Sequence, residues 1–197
     1  HRNDGTGSNA GHVRIFENSN GSWTQIGSDI DGEAADDHSG NAVSLSGDGS
    51  VVAIGAYDND GNGSASGHVR IYENSNGTWT QIGSDIDGEA SEDYFGTSVS
   101  LSNDGSVVAI GAIYNDGNSG NNAHNSGHVR VYEYEHSSTS WVLIGEDIDG
   151  EAADDISGYS VSLSSDGNTV AIGAPWNDGG IFRRVQHKHF DFTMRQA

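Results

Sequence analysis

The chain has 197 residues, a formal net charge of −21 and no cysteine, and only 33% of its residues are apolar. The lack of cysteine excludes disulfides and thiolate chemistry, and the negative charge disfavours nucleic acid and anionic membrane surfaces as partners because both would repel it. No apolar run approaches the roughly 20 residues that a membrane-spanning helix needs, so membrane insertion is not expected.

In chain order, residues 1–10 form the end of one repeat, and three copies of a repeat of about 56 residues follow. The copies begin at Gly11, Gly67 and Gly127, each with Gly-His-Val-Arg. They are predicted to occupy residues 11–66, 67–126 and 127–180, one blade each.

Each copy contains four short runs rich in Val, Ile, Tyr and Trp. In the second copy these predicted strands are residues 68–73, 78–83, 98–102 and 107–112, and the polar stretch 84–96 links the two pairs. Asn76-Gly77 and Asp104-Gly105 predict two-residue hairpin turns, because a type I′ turn needs two positive φ angles. Four antiparallel strands per repeat predict an all-β protein made of β-propeller blades, about three and a half in this chain.

The second copy carries a recognisable combination of short motifs. Phe95-Gly96 precedes Ser-Val-Ser-Leu-Ser, Asp104-Gly105 follows, and Val-Ala-Ile-Gly-Ala closes the copy. This pattern resembles the FG-GAP repeat of integrin α-subunit propellers and many microbial surface proteins, which implies a propeller that binds partners and, in some members, calcium.

Two features depart from the family. Phe-Gly is complete in the second copy alone, and each hairpin holds one acid (Asp48, Asp104 or Asp166), too few to supply six calcium ligands.

An array of three and a half blades leaves two apolar faces and unpaired strand edges. Three arrangements would cover them: the chain is a fragment of a longer protein, it pairs with another copy, or it polymerises head to tail. Residues 181–197 leave the repeat and are basic. We interpret this tail as an artefact of truncation or splicing, as a cap on an open edge, or as an arm that docks on acidic loops.

Acidic loops recur in all three copies and are the first candidate metal sites. Alternating carboxylates with a glycine turn could wrap a calcium ion, or could simply cap backbone amides in a solvated turn. The candidate ligands are Asp29, Asp31 and Glu33, then Asp85, Asp87 and Glu89, then Asp147, Asp149 and Glu151.

A second candidate is Asp58, Asp60 and Asn62, which match the first half of a calcium loop. Val69 stands where the loop would need a glutamate, so an Asx turn is the preferred interpretation. The repeated histidines (His12, His68 and His128) share a strand face with arginines and are interpreted as structural, with zinc binding as the alternative. The repeated tryptophans (Trp23, Trp79 and Trp141) are interpreted as packing between blades, with sugar stacking as the alternative.

The polar residues repeat in phase, whereas a catalytic centre is needed once per fold. We therefore expect a non-enzymatic module for protein or glycan interaction, adhesion, matrix or filament assembly. Alternatives are a calcium-dependent lectin-like binder and a propeller enzyme whose active site lies in other blades. Glycosylation sequons at Asn20, Asn62 and Asn76 favour an extracellular or cell-surface location.

Overall fold

The computed structural model describes residues 6–117 and 124–179, and all regular structure in these residues is β. The predictions for the tail 181–197 lie outside the described residues. Sixteen strands are present: β1 His12–Val13, β2 Phe16–Ser19, β3 Ser22–Gln25, β4 Ile30–Asp31, β5 Ala42–Leu45, β6 Val51–Ala56, β7 His68–Ser75, β8 Thr78–Gln81, β9 Ile86–Asp87, β10 Phe95–Leu101, β11 Val107–Ala112, β12 His128–Glu135, β13 Ser140–Leu143, β14 Ile148–Asp149, β15 Ser160–Leu163 and β16 Val170–Gly173.

The strands form two complete blades between two half-blades. The first complete blade has the strand order β5-β6-β7-β8, with β9 paired to β7, and the second has the order β10-β11-β12-β13, with β14 paired to β12. The N-terminal half-blade consists of the pairs β1-β4 and β2-β3, and the C-terminal half-blade is the pair β15-β16. All these pairings are antiparallel, which confirms the predicted all-β fold of four-stranded blades.

The blades are offset by half a repeat from the sequence copies. The first complete blade takes β5 and β6 from the copy at 11–66 and β7 and β8 from the copy at 67–126. Six consecutive residue pairs, from Val51 with Glu73 to Ala56 with His68, join the two copies in one sheet. The assignment of one blade to each of 11–66, 67–126 and 127–180 therefore differs from the sheets, because the strongest pairing crosses the copy boundary.

The core lies between successive sheets. Strands β6 and β11 are buried at every position, since each is covered on both faces, and both read as an unbroken apolar run rather than an alternating one. One apolar cluster packs Val52 and Ile54 of β6 against the N-terminal half-blade, and another packs Val108 and Ile110 of β11 with Phe95.

Glycines of the repeat motif make the close approach of the blades possible. A side chain on Gly55 would overlap the carbonyl oxygen of Gly96, and one on Gly111 would overlap that of Gly158. Gly96 and Gly158 also have positive φ angles of 87° and 85°. Gly55 and Gly111 are needed because a side chain at these positions would have no space. Gly96 and Gly158 are needed because their φ angles are positive.

The first strands of successive blades are joined by a repeated hydrogen-bond pattern. Leu101 N donates to Ser44 Oγ at 3.0 Å, and Leu163 N donates to Ser100 Oγ at 2.9 Å. The strands β5, β10 and β15 therefore lie side by side, as the inner strands of propeller blades do.

The hairpin predictions had different outcomes. Asn76-Gly77 has φ angles of 53° and 82°, which confirms the type I′ turn. The two-residue turn predicted at Asp104-Gly105 is wrong, because five residues, 102–106, separate β10 from β11. There the Asp104 carboxylate accepts hydrogen bonds from Ser102 Oγ at 2.7 Å and Ser106 N at 3.1 Å, so a side chain closes the loop.

Candidate functional site

The three acids of one acidic loop do not meet. In the second copy, Asp85 accepts a hydrogen bond from Gln81 at 2.6 Å, whereas Glu89 forms an ion pair with Arg130. Within residues 6–117 and 124–179, the groups of three potential metal ligands with all ligand atoms within 4.8 Å combine different loops with a histidine. The acids of one loop therefore contact different partners in this structure, and calcium binding by a single loop stays a prediction.

The first of these groups lies where the N-terminal half-blade meets the first complete blade. The His68 Nδ1 atom is 3.8 Å from Glu33 Oε2 and 3.8 Å from Asp85 Oδ2. Arg70, two residues further along β7, places Nη1 3.4 Å from Glu33 Oε1. This group, Glu33 with His68, Arg70 and Asp85, is called the first rim cluster.

The second rim cluster repeats the first one blade further on, with Glu89, His128, Arg130 and Asp147. The Arg130 guanidinium donates two hydrogen bonds of 2.8 Å to Asp147 and also pairs with Glu89. His128 Nδ1 is 3.9 Å from Asp147 Oδ2, and neither ring nitrogen of His128 has a hydrogen-bond partner among the described residues. The structural role expected for the repeated arginines agrees with these ion pairs, in which Arg70 contacts an acid of the preceding copy and Arg130 contacts acids of two copies.

The charges of the rim clusters are set by burial and by arginine. Burial, followed by the adjacent arginine, lowers the pKa of both His68 and His128, so both rings are neutral near pH 7. The hydrogen bonds from Arg130 lower the pKa of the Asp147 carboxyl against the opposing effect of burial. Each cluster has two carboxylates and a neutral imidazole that could hold a cation, but a guanidinium already supplies positive charge there.

Sequence reasoning placed these residues in separate sites and missed the clusters. The acids were grouped within single loops, whereas Glu33 and Asp85 belong to successive copies. The sequence does contain a signal for the rim clusters. His and Arg recur on one face of a strand in every copy, and every acidic loop has an acid at its first position, as at Asp85, and at its last position, as at Glu33.

The second predicted metal site is an Asx turn. Asn59 Oδ1 accepts from Gly61 N at 2.8 Å, and Asp60 Oδ1 accepts from Ala65 N at 2.8 Å. Asp58 contacts His38 Nδ1 at 2.7 Å, and Asn62 Nδ2 donates to Gly88 O at 2.8 Å. These side chains bind four different partners and do not converge on one point.

The three sequons occupy different environments. Asn20 and Asn76 are exposed at the tips of two-residue hairpins. Asn62 Nδ2, the atom that would carry a glycan, instead donates to the carbonyls of Gly88 and Glu89. Glycosylation of Asn20 and Asn76 stays a prediction, and modification of Asn62 would require the loss of two hydrogen bonds.

An open cleft of about 720 Å³ lies beside the second rim cluster. Its lining consists of Glu89, Ala90, Ser91, Glu92, Asp93, Tyr94, Tyr114, Asn115, Asp116, Gly117, His124, Asn125 and Asp147. Five of these residues are acidic, and no lysine or arginine is among them. We call this feature the acidic cleft.

Aromatic rings form a row that ends in the acidic cleft. The centroid distances are 5.6 Å from His38 to Tyr57, 5.6 Å from Tyr57 to Tyr94 and 5.1 Å from Tyr94 to Tyr114. Neighbouring rings in the row come from different loops and, in one case, from different copies. Tyr94 and Tyr114, at the end of the row, therefore give the acidic cleft an aromatic side.

At the base of the cleft, Asp93 has a structural role. Its carboxylate accepts from Asn115 Nδ2 at 2.9 Å and from Ala90 N at 3.1 Å. Burial raises the pKa of Asp93, and these two hydrogen bonds oppose that effect. Asp37 and Asp155 bind the equivalent backbone amides in the other copies, so the acids that end each loop support the backbone.

Two of the three repeated tryptophans pack between blades, as predicted. Trp79 contacts Gly27 and Trp141 contacts Gly83, each on the preceding blade. Trp23 is 68% exposed, because no described residues precede the N-terminal half-blade on that side.

Comparisons with known proteins agree with the repeat and the fold. Residues 29–72 and 84–132 each match the family model described as FG-GAP repeat. None of the curated proteins compared with the chain matches it.

Solved structures share the fold at low sequence identity. A candidate 6-phosphogluconolactonase from Bacteroides fragilis NCTC 9343 superposes with a TM-score of 0.52 and 14% identity, over 83% of this chain and 36% of that one. A second candidate 6-phosphogluconolactonase, from Bacteroides uniformis ATCC 8492, gives a TM-score of 0.55 and 11% identity, over 83% of this chain and 41% of that one. The chain thus spans about two fifths of these structures, and the likeness shows a propeller fold alone.

Proposed function

Because this chain carries FG-GAP repeats folded as consecutive propeller blades, we propose that it is a non-enzymatic, extracellular or cell-surface module that binds another protein at the acidic cleft. The observation that carries the proposal is the combination of five acids with Tyr94 and Tyr114 around one open cleft. Such a surface favours a partner segment that presents lysine or arginine beside an apolar or aromatic side chain.

The charges at the mouth of the cleft are available to a partner. Arg130 partly neutralises Glu89 and Asp147, and Asp93 is committed to backbone and amide contacts. Glu92 and Asp116 are exposed at the mouth, and among the described residues Asp116 has the exposed His124 and the backbone amide of Asn125 as hydrogen-bond partners. A cationic side chain could therefore approach two carboxylates without displacing an arginine.

Support for a non-enzymatic role comes from how the repeated polar residues are used. Arg130 joins acids of neighbouring copies, Asp93 supports its loop, and Asp104 closes a hairpin. The extracellular location is supported by the surfaces on which FG-GAP repeats typically occur and by the exposed sequons at Asn20 and Asn76. The described residues contain no helix long and apolar enough to cross a membrane.

The experiment is an array of short peptides of varied charge and aromatic content, probed with the whole chain and with cleft variants. Peptides with a basic residue beside an aromatic one should be enriched, and Glu92→Lys and Tyr114→Ala should each weaken their binding at least several-fold. The matched controls are Glu73→Lys and Tyr159→Ala, exposed residues of the same types outside the cleft. Equal loss in the controls, or no enriched peptide, would contradict the proposal.

Glycan binding is the second candidate, and the aromatic row from His38 to Tyr114 is the observation that favours it. Sugar rings stack on aromatic side chains, and carboxylates accept hydrogen bonds from sugar hydroxyls. A glycan array probed with the same variants separates the two candidates. Binding to neutral glycans that is lost in Tyr114→Ala and kept in Glu92→Lys would favour the glycan.

Calcium binding is a further proposal for the acidic loops. Calcium takes six to eight oxygen ligands, and each rim cluster offers two carboxylates beside an arginine. An ion would have to recruit several waters and compete with the guanidinium, so we expect any binding to fall in the weak, millimolar class of extracellular sites. Melting temperatures measured with calcium and with a chelator test this proposal.

A further inference from the structure

The two half-blades at the ends of the described chain are complementary parts of one blade. In each complete blade, two inner strands from one copy pair with two outer strands from the next. Among the described residues, the C-terminal half-blade, β15 and β16, has inner strands only, and the N-terminal half-blade, β1 to β4, has outer strands only. Within residues 6–117 and 124–179, each half-blade therefore contains the type of strand that the other one does not.

The pairing between these parts is fixed by the complete blades. Val52 lies opposite Tyr72 between β6 and β7, and Val108 lies opposite Tyr132 between β11 and β12. The equivalent residues at the chain ends are Val170 and Phe16. Tyr72 and Tyr132 are each 9% exposed, whereas Phe16, which has no described inner strand beside it, is 42% exposed.

The tryptophan contact between blades is also divided between the two ends. Trp79 Nε1 donates to Ile26 O at 2.9 Å, and Trp141 Nε1 donates to Ile82 O at 2.9 Å. At the N-terminal end, Trp23 is 68% exposed. At the C-terminal end Ile144 is 42% exposed, and a side chain on Gly145 would meet nothing within 4 Å.

The charged residues of the two half-blades are also complementary. Glu33 pairs with Arg70, and Glu89 pairs with Arg130, always from one copy to the next. The next acid in this series is Glu151, which contacts Asn177 rather than an arginine. The preceding arginine in the series is the exposed Arg14, which has no ion pair with any described residue.

We propose that the edge of β16 that pairs with no described strand binds residues 12–25 of a second copy of this chain, so that the two half-blades form one shared blade. The contact is a strand addition in which Val170 lies opposite Phe16, Trp23 donates to Ile144 O, and Arg14 pairs with Glu151. The inference does not depend on the acidic cleft.

Cysteine cross-linking tests the register, because the chain has no cysteine of its own. A Phe16→Cys chain is mixed with a Val170→Cys chain that carries a mass tag, and both are oxidised at low micromolar concentration. The mixed, tagged dimer should form at least several-fold faster than with Ala171→Cys, because residue 171 points to the opposite sheet face. Equal yields with Val170→Cys and Ala171→Cys would overturn the proposal.

A charge exchange tests the same contact without a cross-link. Arg14→Glu and Glu151→Arg should each weaken self-association at least about ten-fold in sedimentation experiments, and the double variant should recover it. Glu73→Arg, an exposed charge reversal on β7, is the control and should associate as the parent does. A discrete dimer or a larger species that grows with concentration supports the shared blade. A folded parent that stays monomeric at about 100 μM, or a double variant no better than the single ones, would overturn it.

Discussion

The indole Nε1 of Trp79 donates a 2.9 Å hydrogen bond to the carbonyl oxygen of Ile26, a residue 53 positions earlier in the chain. Trp141 makes the same contact with Ile82 one blade further on, again at 2.9 Å. These contacts join the outer strand β8 or β13 of one blade to the preceding blade. The blades therefore depend on one another for stability.

Trp141→Ala should lower the free energy of unfolding by about 2–3 kcal/mol, because the change removes apolar contact and leaves the Ile82 carbonyl without its donor. Trp23→Ala should cost less than about 0.5 kcal/mol when the chain is dilute, because Trp23 is 68% exposed. Urea unfolding followed by circular dichroism measures both. Equal losses of unfolding free energy in Trp141→Ala and Trp23→Ala would show that the contact between blades does not stabilise the fold.

Gly83→Ala and Gly145→Ala separate backbone strain from a steric clash. Both glycines have a φ of 75°, so alanine should cost about 1–2 kcal/mol at either site. At Gly83 the new Cβ would also lie 2.7 Å from Trp141 Cδ1, whereas at Gly145 it would meet nothing within 4 Å. We expect an additional loss of about 1–3 kcal/mol at Gly83 alone. Equal urea midpoints for Gly83→Ala and Gly145→Ala would contradict the expected clash between a side chain at position 83 and Trp141.

The hairpin aspartates should make folding stability depend on acid pH. Hydrogen bonds from Ser50 lower the pKa of Asp48 to about 2. Bonds from Ser102 and Ser106 lower the pKa of Asp104, and bonds from Ser164 and Asn168 lower the pKa of Asp166. A depressed folded pKa adds stability above the unfolded value of about 3.8, and this stability is lost as the pH falls toward about 2.

The triple variant Asp48→Asn, Asp104→Asn, Asp166→Asn should therefore lose less stability than the parent between pH 4 and pH 2. Melting temperatures measured from pH 4 to pH 2 give the slope of stability against pH for the parent and for the triple variant. The difference between these two slopes reports the three loop carboxylates, because all other acids titrate in both proteins. Parallel curves would refute the role of the loop carboxylates.

The buried histidines should weaken the fold at mildly acid pH. Burial, then the adjacent arginines, lowers the pKa of His68 and His128 below the ordinary value of 6.5. The unfolded chain therefore binds protons more readily, so stability is constant well above pH 6.5 and falls as the pH drops through and below that value. The variant His68→Gln, His128→Gln should flatten this slope between pH 6.5 and pH 5. His136→Gln, at an exposed histidine, is the control, and a parent-like slope in the double variant would argue against this account.

Removal of Arg130 should turn the second rim cluster into a metal site. In the parent, about 0.1 mM Ca²⁺ or Zn²⁺ should leave the melting temperature as it is in chelator, because Arg130 pairs with both Glu89 and Asp147. In Arg130→Gln the two carboxylates and the neutral His128 are free to bind zinc, and the same zinc concentration should raise the melting temperature. Adding His128→Gln should abolish the increase. A zinc effect of equal size in the parent would show that the arginine does not compete.

The strands could be predicted from the sequence because their signals are local. The apolar run at 107–112 and the Asn76-Gly77 turn depend on neighbouring residues only, and both occur where predicted. The phase of the blades could not be predicted in this way, because it depends on whether Val51 pairs within its own copy or with Glu73 of the next. The rim clusters were missed for the same reason: His68 meets Glu33, which belongs to the preceding copy.

The half-repeat offset of the blades has a consequence for how such a chain can change in length. Each complete sheet spans the boundary between two copies, so a duplication or deletion of one whole copy adds or removes one whole blade. The glycine, tryptophan and arginine contacts at the new boundary are the same as at every other boundary. Unequal recombination within the nearly identical repeats of the gene would therefore produce longer or shorter arrays in which every boundary between blades keeps these contacts.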